Sequence, residues 1–165
     1  MELKLKQVSK DEESVVFNVL KENAVWLLSL GIEQWPLEWL ESIRREINLS
    51  IKSGNYFFAL LDNEVVGVVE VLAEPESIWK YDISPSIYIH KLAIKRKFCG
   101  LNIGSQIISK LWSISKEKDK EFIRLDCVAT NLKLRSYYEK NGFTFVGIAN
   151  NGLVDLALYE KRAKG

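Results

Sequence analysis

The sequence predicts a mixed α/β sheet covered by helices on both faces, with one parallel crossover, and three observations carry that prediction. In residues 89–105, IHKLAIKRKFCGLNIGS, an alternating apolar run passes through a basic segment and a glycine-containing loop into an amphipathic helix that begins near Ile103. Residues 122–129, FIRLDCVA, read as a second buried strand after that helix, which makes a βαβ unit with a right-handed crossover. The pairs Gly54-Asn55, Asp62-Asn63 and Asn151-Gly152 interrupt apolar runs elsewhere and mark turns into antiparallel strands.

Taken in order, residues 2–8 alternate apolar and polar and read as a first strand. Ser9 then caps a helix, with Glu12 three residues on completing a capping box. That helix carries Val15, Val16, Val19, Leu20, Val25, Leu27 and Leu28 and ends near Gly31. A second helix starts at Pro36 and runs through Trp39, Leu40, Ile43 and Ile47 to about Ser53. Residues 56–61 and 64–72 form a hairpin, residues 73–86 a loop with Pro75 and Pro85, and residues 86–94 the strand that leads into the glycine loop. The helix over residues 103–118 presents Ile103, Ile107, Ile108, Leu111 and Ile114 to the core. After the 122–129 strand, a helix from about Asn131 to Lys140 stops at Asn141-Gly142, and residues 143–148 and 153–160 close a last hairpin. Seven strands and four helices result, in a single domain over 1–165 with no repeat or linker.

Composition narrows the function. A formal net charge of +1 lacks the basic stripe of a nucleic-acid binder, although local basic residues can still serve one small anion. No apolar run approaches the roughly 18 residues that span a bilayer. Two cysteines, Cys99 and Cys127, read as free thiols of a soluble, cytoplasmic protein, with Cys127 an inert core residue. Cys99, near a helix N-terminus, is a weaker nucleophile candidate.

The loop before the 103–118 helix can hold a phosphate, because first-turn N–H groups lack intrahelical partners and the macrodipole is positive there. Gly100 and Gly104 allow close approach to the main chain. A P-loop is excluded, since Gly100-Leu101-Asn102-Ile103-Gly104-Ser105 has no lysine at the required place. A dinucleotide fingerprint lacks its third glycine, and only Asp126 falls near the acidic position.

A third reading is a resemblance. The stretch resembles the pyrophosphate loop of the GNAT superfamily of acyl-CoA-dependent N-acetyltransferases, with Cys99 in the Arg/Gln place, Asn102 in the first glycine place and Gly104 in the second. Cys99 and Asn102 depart from that pattern, but asparagine tolerates positive φ and keeps the turn. Lys91-Leu92-Ala93-Ile94 resembles the family's bulged fourth strand, and Leu125-Asp126-Cys127-Val128-Ala129-Thr130-Asn131 its fifth strand with the following Asn. Tyr137-Tyr138-Glu139-Lys140-Asn141-Gly142-Phe143 resembles the Tyr-Glu-Lys-x-Gly-Phe ending of the next helix.

The resemblance implies the GNAT-like fold, a mostly antiparallel seven-stranded sheet whose parallel pair, residues 86–94 and 122–129, splays to admit acyl-CoA. It implies acetyl-CoA as co-substrate, with no metal, and an amine acceptor as partner, and it leaves a homodimer open. The pyrophosphate would lie over Phe98, Cys99, Gly100, Leu101, Asn102, Ile103, Gly104 and Ser105, with Arg96 and Lys97 close enough to add charge. The acyl and pantetheine carbonyls would meet the main chain of Leu92, Ala93 and Ile94, and Asn131 would bond the pantetheine arm. Tyr138 takes the place of the general acid that protonates the departing thiolate, against the alternative of a packing tyrosine. His90, the only histidine, is placed similarly to one in arylalkylamine acetyltransferases and is the base candidate, against a structural reading. Glu70 and Asp82 are weaker candidates for that role. Trp35 and Tyr88 are candidate walls for the acceptor, while Trp26, Trp35 and Trp39 also read as ordinary core. Acetylation of a small-molecule primary amine, of a protein lysine or N-terminus, and CoA binding without turnover are the three functions in play.

Overall fold

The computed structural model describes residues 2–32, 35–79 and 82–164. Seven strands are hydrogen-bonded in the order β1-β2-β3-β4-β5-β7-β6: β1 Leu3–Gln7, β2 Tyr56–Leu61, β3 Glu64–Leu72, β4 Ser86–Ile94, β5 Phe122–Val128, β6 Thr144–Asn150 and β7 Asp155–Arg162. Only β4 and β5 are registered in parallel, through Ser86↔Phe122, Ile87↔Ile123 and Tyr88↔Arg124, while β1-β2, β2-β3, β5-β7 and β6-β7 pair antiparallel. Among the described residues five helices accompany them: α1 Glu13–Ser29, α2 Leu37–Ser42, α3 Arg44–Lys52, α4 Ile103–Glu117 and α5 Leu132–Lys140. Among the described residues, no helix is long and apolar enough to cross a membrane.

Contacts divide the chain into two compact units, one of Met1–Val71 with Lys91–Ile107 and one of Leu72–His90 with Ile108–Gly165. In the first, α1 follows a 3₁₀ turn over Lys10–Glu12, where the Ser9 N–H donates to the Glu12 carboxylate at 3.1 Å as the capping box requires. The helix closes with Ile32 N–H bonded to the Leu27 carbonyl and Gly31 at φ +74°, a left-handed stop suited to glycine. Its buried side is Val16, Phe17, Val19, Leu20 and Ala24, whereas Val15, Val25 and Leu28 are exposed. Those buried residues pack with Leu40, Ile43, Ile47, Ile51, Tyr56, Phe58, Val68 and Ala93.

The single helix expected over 36–53 is two. At Ile43 the backbone moves to φ −95°, ψ 7°, and the Ser42 hydroxyl bonds back to the Trp39 carbonyl, competing with the helical ladder. The β2-β3 turn is as the sequence implies, with Asp62 at φ +50° and Asn63 at φ +64°.

In the second unit, Arg124 of β5 is fully buried, and its burial is stable only because its charge is matched. Its guanidinium pairs with Asp82 and with Glu160 of β7, and donates to the Tyr88 hydroxyl at 3.3 Å. The indole of Trp79, in a 3₁₀ turn over Ser77–Trp79, stands edge-on to Tyr88 at 5.9 Å and lies 4.8 Å from the guanidinium. The loop between β3 and β4 is thereby pinned by one cation.

Replacing Arg124 with Leu strands the buried Tyr88 hydroxyl, while the partly exposed Asp82 and Glu160 can rehydrate. We expect a loss of about 2–3 kcal/mol, read as a lower urea midpoint with an unchanged slope.

Candidate active site

β4 is rich in β-branched and aromatic residues, and its first four positions are buried. At Lys91 the strand breaks its regularity, with φ +47°. A single left-handed residue re-aims the main chain that follows, as a bulge does. Leu92, Ala93 and Ile94 therefore come after an irregular residue, as the resemblance requires of the segment that meets a pantetheine. Beyond them the Lys95 N–H bonds the Val66 carbonyl at 2.9 Å, and the Arg96 N–H donates to Glu22 of α1 at 3.1 Å.

A 3₁₀ turn over Arg96–Phe98 leads to Gly100 at φ +85° and Asn102 at φ +60°. Asn102 thus holds the left-handed turn expected of it, and its carbonyl accepts from Gln106 N–H at 3.2 Å as α4 begins. The first-turn amides of Ile103 and Gly104 have no carbonyl within their own helix to bond, so they point out of its N-terminus. Around this turn Cys99 and Leu101 are exposed, and the Cys99 sulfur lies 3.7 Å from the Lys95 carbonyl. Lys97 is paired with Glu64 and reaches over the Phe98 ring at 4.7 Å, while Arg96 covers the indole of Trp26 at 3.4 Å. Trp35, with Leu37 and Trp39, is partly buried against the first unit's core.

The other candidates belong to the second unit. His90 is 12% exposed in its side chain, and its Nε2 stands 3.5 Å from a Glu76 carboxylate oxygen without hydrogen-bond geometry. Tyr88 departs from the role of acceptor wall: at 1% exposure its ring is packed on Trp79 and Leu158 and its hydroxyl is taken by Arg124. Asp82 is no free base either, because Ser84 hydrogen bonds and the Arg124 guanidinium hold its carboxyl below the usual range. The Asn131 side chain caps α5, its oxygen accepting from Leu134 N–H at 3.2 Å.

Tyr138 is 8% exposed on α5 and rings with Tyr137, Phe143 and Tyr159 surround it at 5.7–6.2 Å. Burial, reinforced by neighbouring Cys127, pushes its phenol well above the ordinary tyrosine value. At neutral pH the phenol is therefore protonated. Burial also pushes the Cys127 thiol up to about 12, which leaves it protonated and unreactive.

Several positions escape a reading of the sequence. An added Cβ at Gly67 of β3 would lie 2.7 Å from the Ala93 carbonyl oxygen, so only glycine admits this approach of β4. An isolated glycine in a strand pattern is the signal that could have exposed it. Asn23 of α1 donates to the Ile94 carbonyl at 2.9 Å, a polar residue at the spacing of Val16, Val19 and Leu20. Lys91 heads the segment that resembles a bulged strand, but its residue type does not announce the positive φ.

Residues 20–143 match the model of the Acetyltransferase (GNAT) family. The uncharacterized N-acetyltransferase YesJ of Bacillus subtilis is 33% identical over 150 residues, which are 88% of this chain and 83% of that protein. A GNAT-family acetyltransferase of Streptococcus agalactiae has a similar fold, with a TM-score of 0.83 at 16% identity over 99% of this chain and 96% of that one. So does AAC(6')-Ib in complex with ribostamycin and coenzyme A, with a TM-score of 0.78 at 15% identity over 98% and 94% of the two chains.

Tyr56, like Tyr138, is buried and its phenol is held neutral, in its case also by nearby Glu70. Unfolded phenols ionise near pH 10, so above about pH 10 the unfolded state loses protons that the folded state retains, and stability falls as pH rises. Urea midpoints from about pH 8 to about pH 11 should show that fall, and Tyr138→Phe should make it shallower.

Proposed function

The chain belongs to the acetyltransferase (GNAT) family, and on that premise we propose that it moves the acetyl group of acetyl-CoA to the primary amine of a small molecule. The observation that carries this reading is the pairing, within one compact unit, of the irregular Lys91 in β4 with the left-handed Asn102 turn at the start of α4. The first shapes a main-chain edge for an acyl-pantetheine, and the second aims helix N-terminal amides at phosphate.

In this mechanism the neutral amine attacks the thioester carbonyl, forming the C–N bond and a tetrahedral oxyanion. Main-chain N–H groups among Leu92, Ala93 and Ile94 stabilise that charge without any special side chain. The oxyanion collapses, the C–S bond breaks, and the thiolate takes the Tyr138 proton. His90 accepts the proton lost by the amine through water, as an imidazole can near neutral pH. Asn131 hydrogen-bonds the pantetheine arm, and Phe98 to Ser105 hold the pyrophosphate, with Lys97 adding charge. A small acceptor is supported by the near-neutral chain, by the partly exposed Trp35 and by the fold neighbour's complex with ribostamycin.

A panel of amines offered with acetyl-CoA, followed by release of free thiol, tests the activity and names the acceptor class. Gly104→Glu places bulk and negative charge at the phosphate position and should weaken CoA binding strongly, and undiminished affinity would move the pyrophosphate elsewhere. With an acceptor in hand, Tyr138→Phe should lower turnover by about 10²–10⁴-fold while CoA affinity stays unchanged. Wild-type turnover in that variant would exclude Tyr138 as the acid.

A further inference from the structure

Lysine disfavours the left-handed backbone because its Cβ approaches the following carbonyl, yet Lys91 sits at φ +47° within β4. Such a residue persists only where its surroundings prevent relaxation. Here the surroundings are specific. The Lys91 ammonium donates to Oε1 of Glu70 at 3.1 Å, and Oε2 of the same carboxylate accepts the Ser50 hydroxyl of α3. Glu70 is 6% exposed, so it needs a cation nearby, and Lys91 supplies one by leaning back toward β3. On the far side of the bend, Gly67 makes room for the Ala93 carbonyl, and Asn23 ties down that of Ile94.

We propose that the Glu70–Lys91 ion pair is the lock that holds β4 in the shape that receives the acyl-pantetheine, which makes both of them positioning residues for the transfer. The inference rests on the reading of Leu92 to Ile94 as the pantetheine-binding edge. The lock acts through the backbone: Lys91 spends its charge on Glu70, and the affinity it confers on CoA comes from the φ it maintains.

That distinction can be measured. Glycine adopts positive φ freely, whereas alanine retains the Cβ that opposes it. Both substitutions delete the ammonium, and combining each with Glu70→Gln avoids stranding a buried carboxylate. Isothermal titration with CoA should show binding weakened about tenfold or more in Glu70→Gln/Lys91→Ala. Glu70→Gln/Lys91→Gly should stay within about threefold of the wild type. Glu70→Gln should weaken CoA binding when Lys91 is present and have no effect when residue 91 is glycine, a comparison that stands even if the alanine variant fails to fold. A direct contact of Lys91 with CoA, or a merely stabilising role, would weaken the alanine and glycine variants alike, and that result would overturn the lock. Absence of CoA binding by the wild-type protein would overturn the functional reading beneath it instead.

Discussion

A left-handed residue in a strand is unstable by itself, and in β4 it survives because a buried carboxylate, a glycine and an asparagine amide act on the four residues that begin with Lys91. The partners come from separate elements of the first unit: Glu70 and Gly67 from β3 and Asn23 from α1, with Ser50 of α3 behind Glu70. The hydrophobic cluster that packs α1 and α3 with Val68 and Ala93 keeps these groups in place, so packing and polar contacts are one system. Non-directional burial brings the elements together, and the few directional contacts then select one backbone path among the compact alternatives.

The second unit solves a comparable problem with the opposite sign. There the buried group is a cation, Arg124, satisfied by two carboxylates, a phenol hydroxyl and aromatic faces. A planar guanidinium can meet that many partners at once, which an ammonium cannot. The consequence reaches the chemistry, because Asp82 and Tyr88 are consumed in holding the β3–β4 loop. Among the described residues, His90, two residues beyond Tyr88 on the same strand, has the looser approach of Glu76.

Tyr138 illustrates how packing sets a proton's availability. Aromatic neighbours and Phe143 beside it remove water from the phenol, and an ionised phenolate would have little to solvate it. Burial likewise silences Cys127 on β5, the strand before α5.

The sequence by itself determined the features whose cause is local. Asp62-Asn63 and Asn102 take positive φ because their side chains tolerate it, Gly31 stops α1, and the Ser9–Glu12 box starts the first helical segment. The bounds of β2, β3 and β4, the turn after Asn150, and the family to which the chain belongs follow from such short-range patterns. Tertiary structure alone decided the burial of Tyr88 and Arg124 and the conformation of Lys91. In each of these cases the deciding neighbour is a backbone path or a charge that residue type cannot announce. Glu70 is 21 residues before Lys91, and Glu160 is 36 after Arg124, so only the folded sheet brings each pair together.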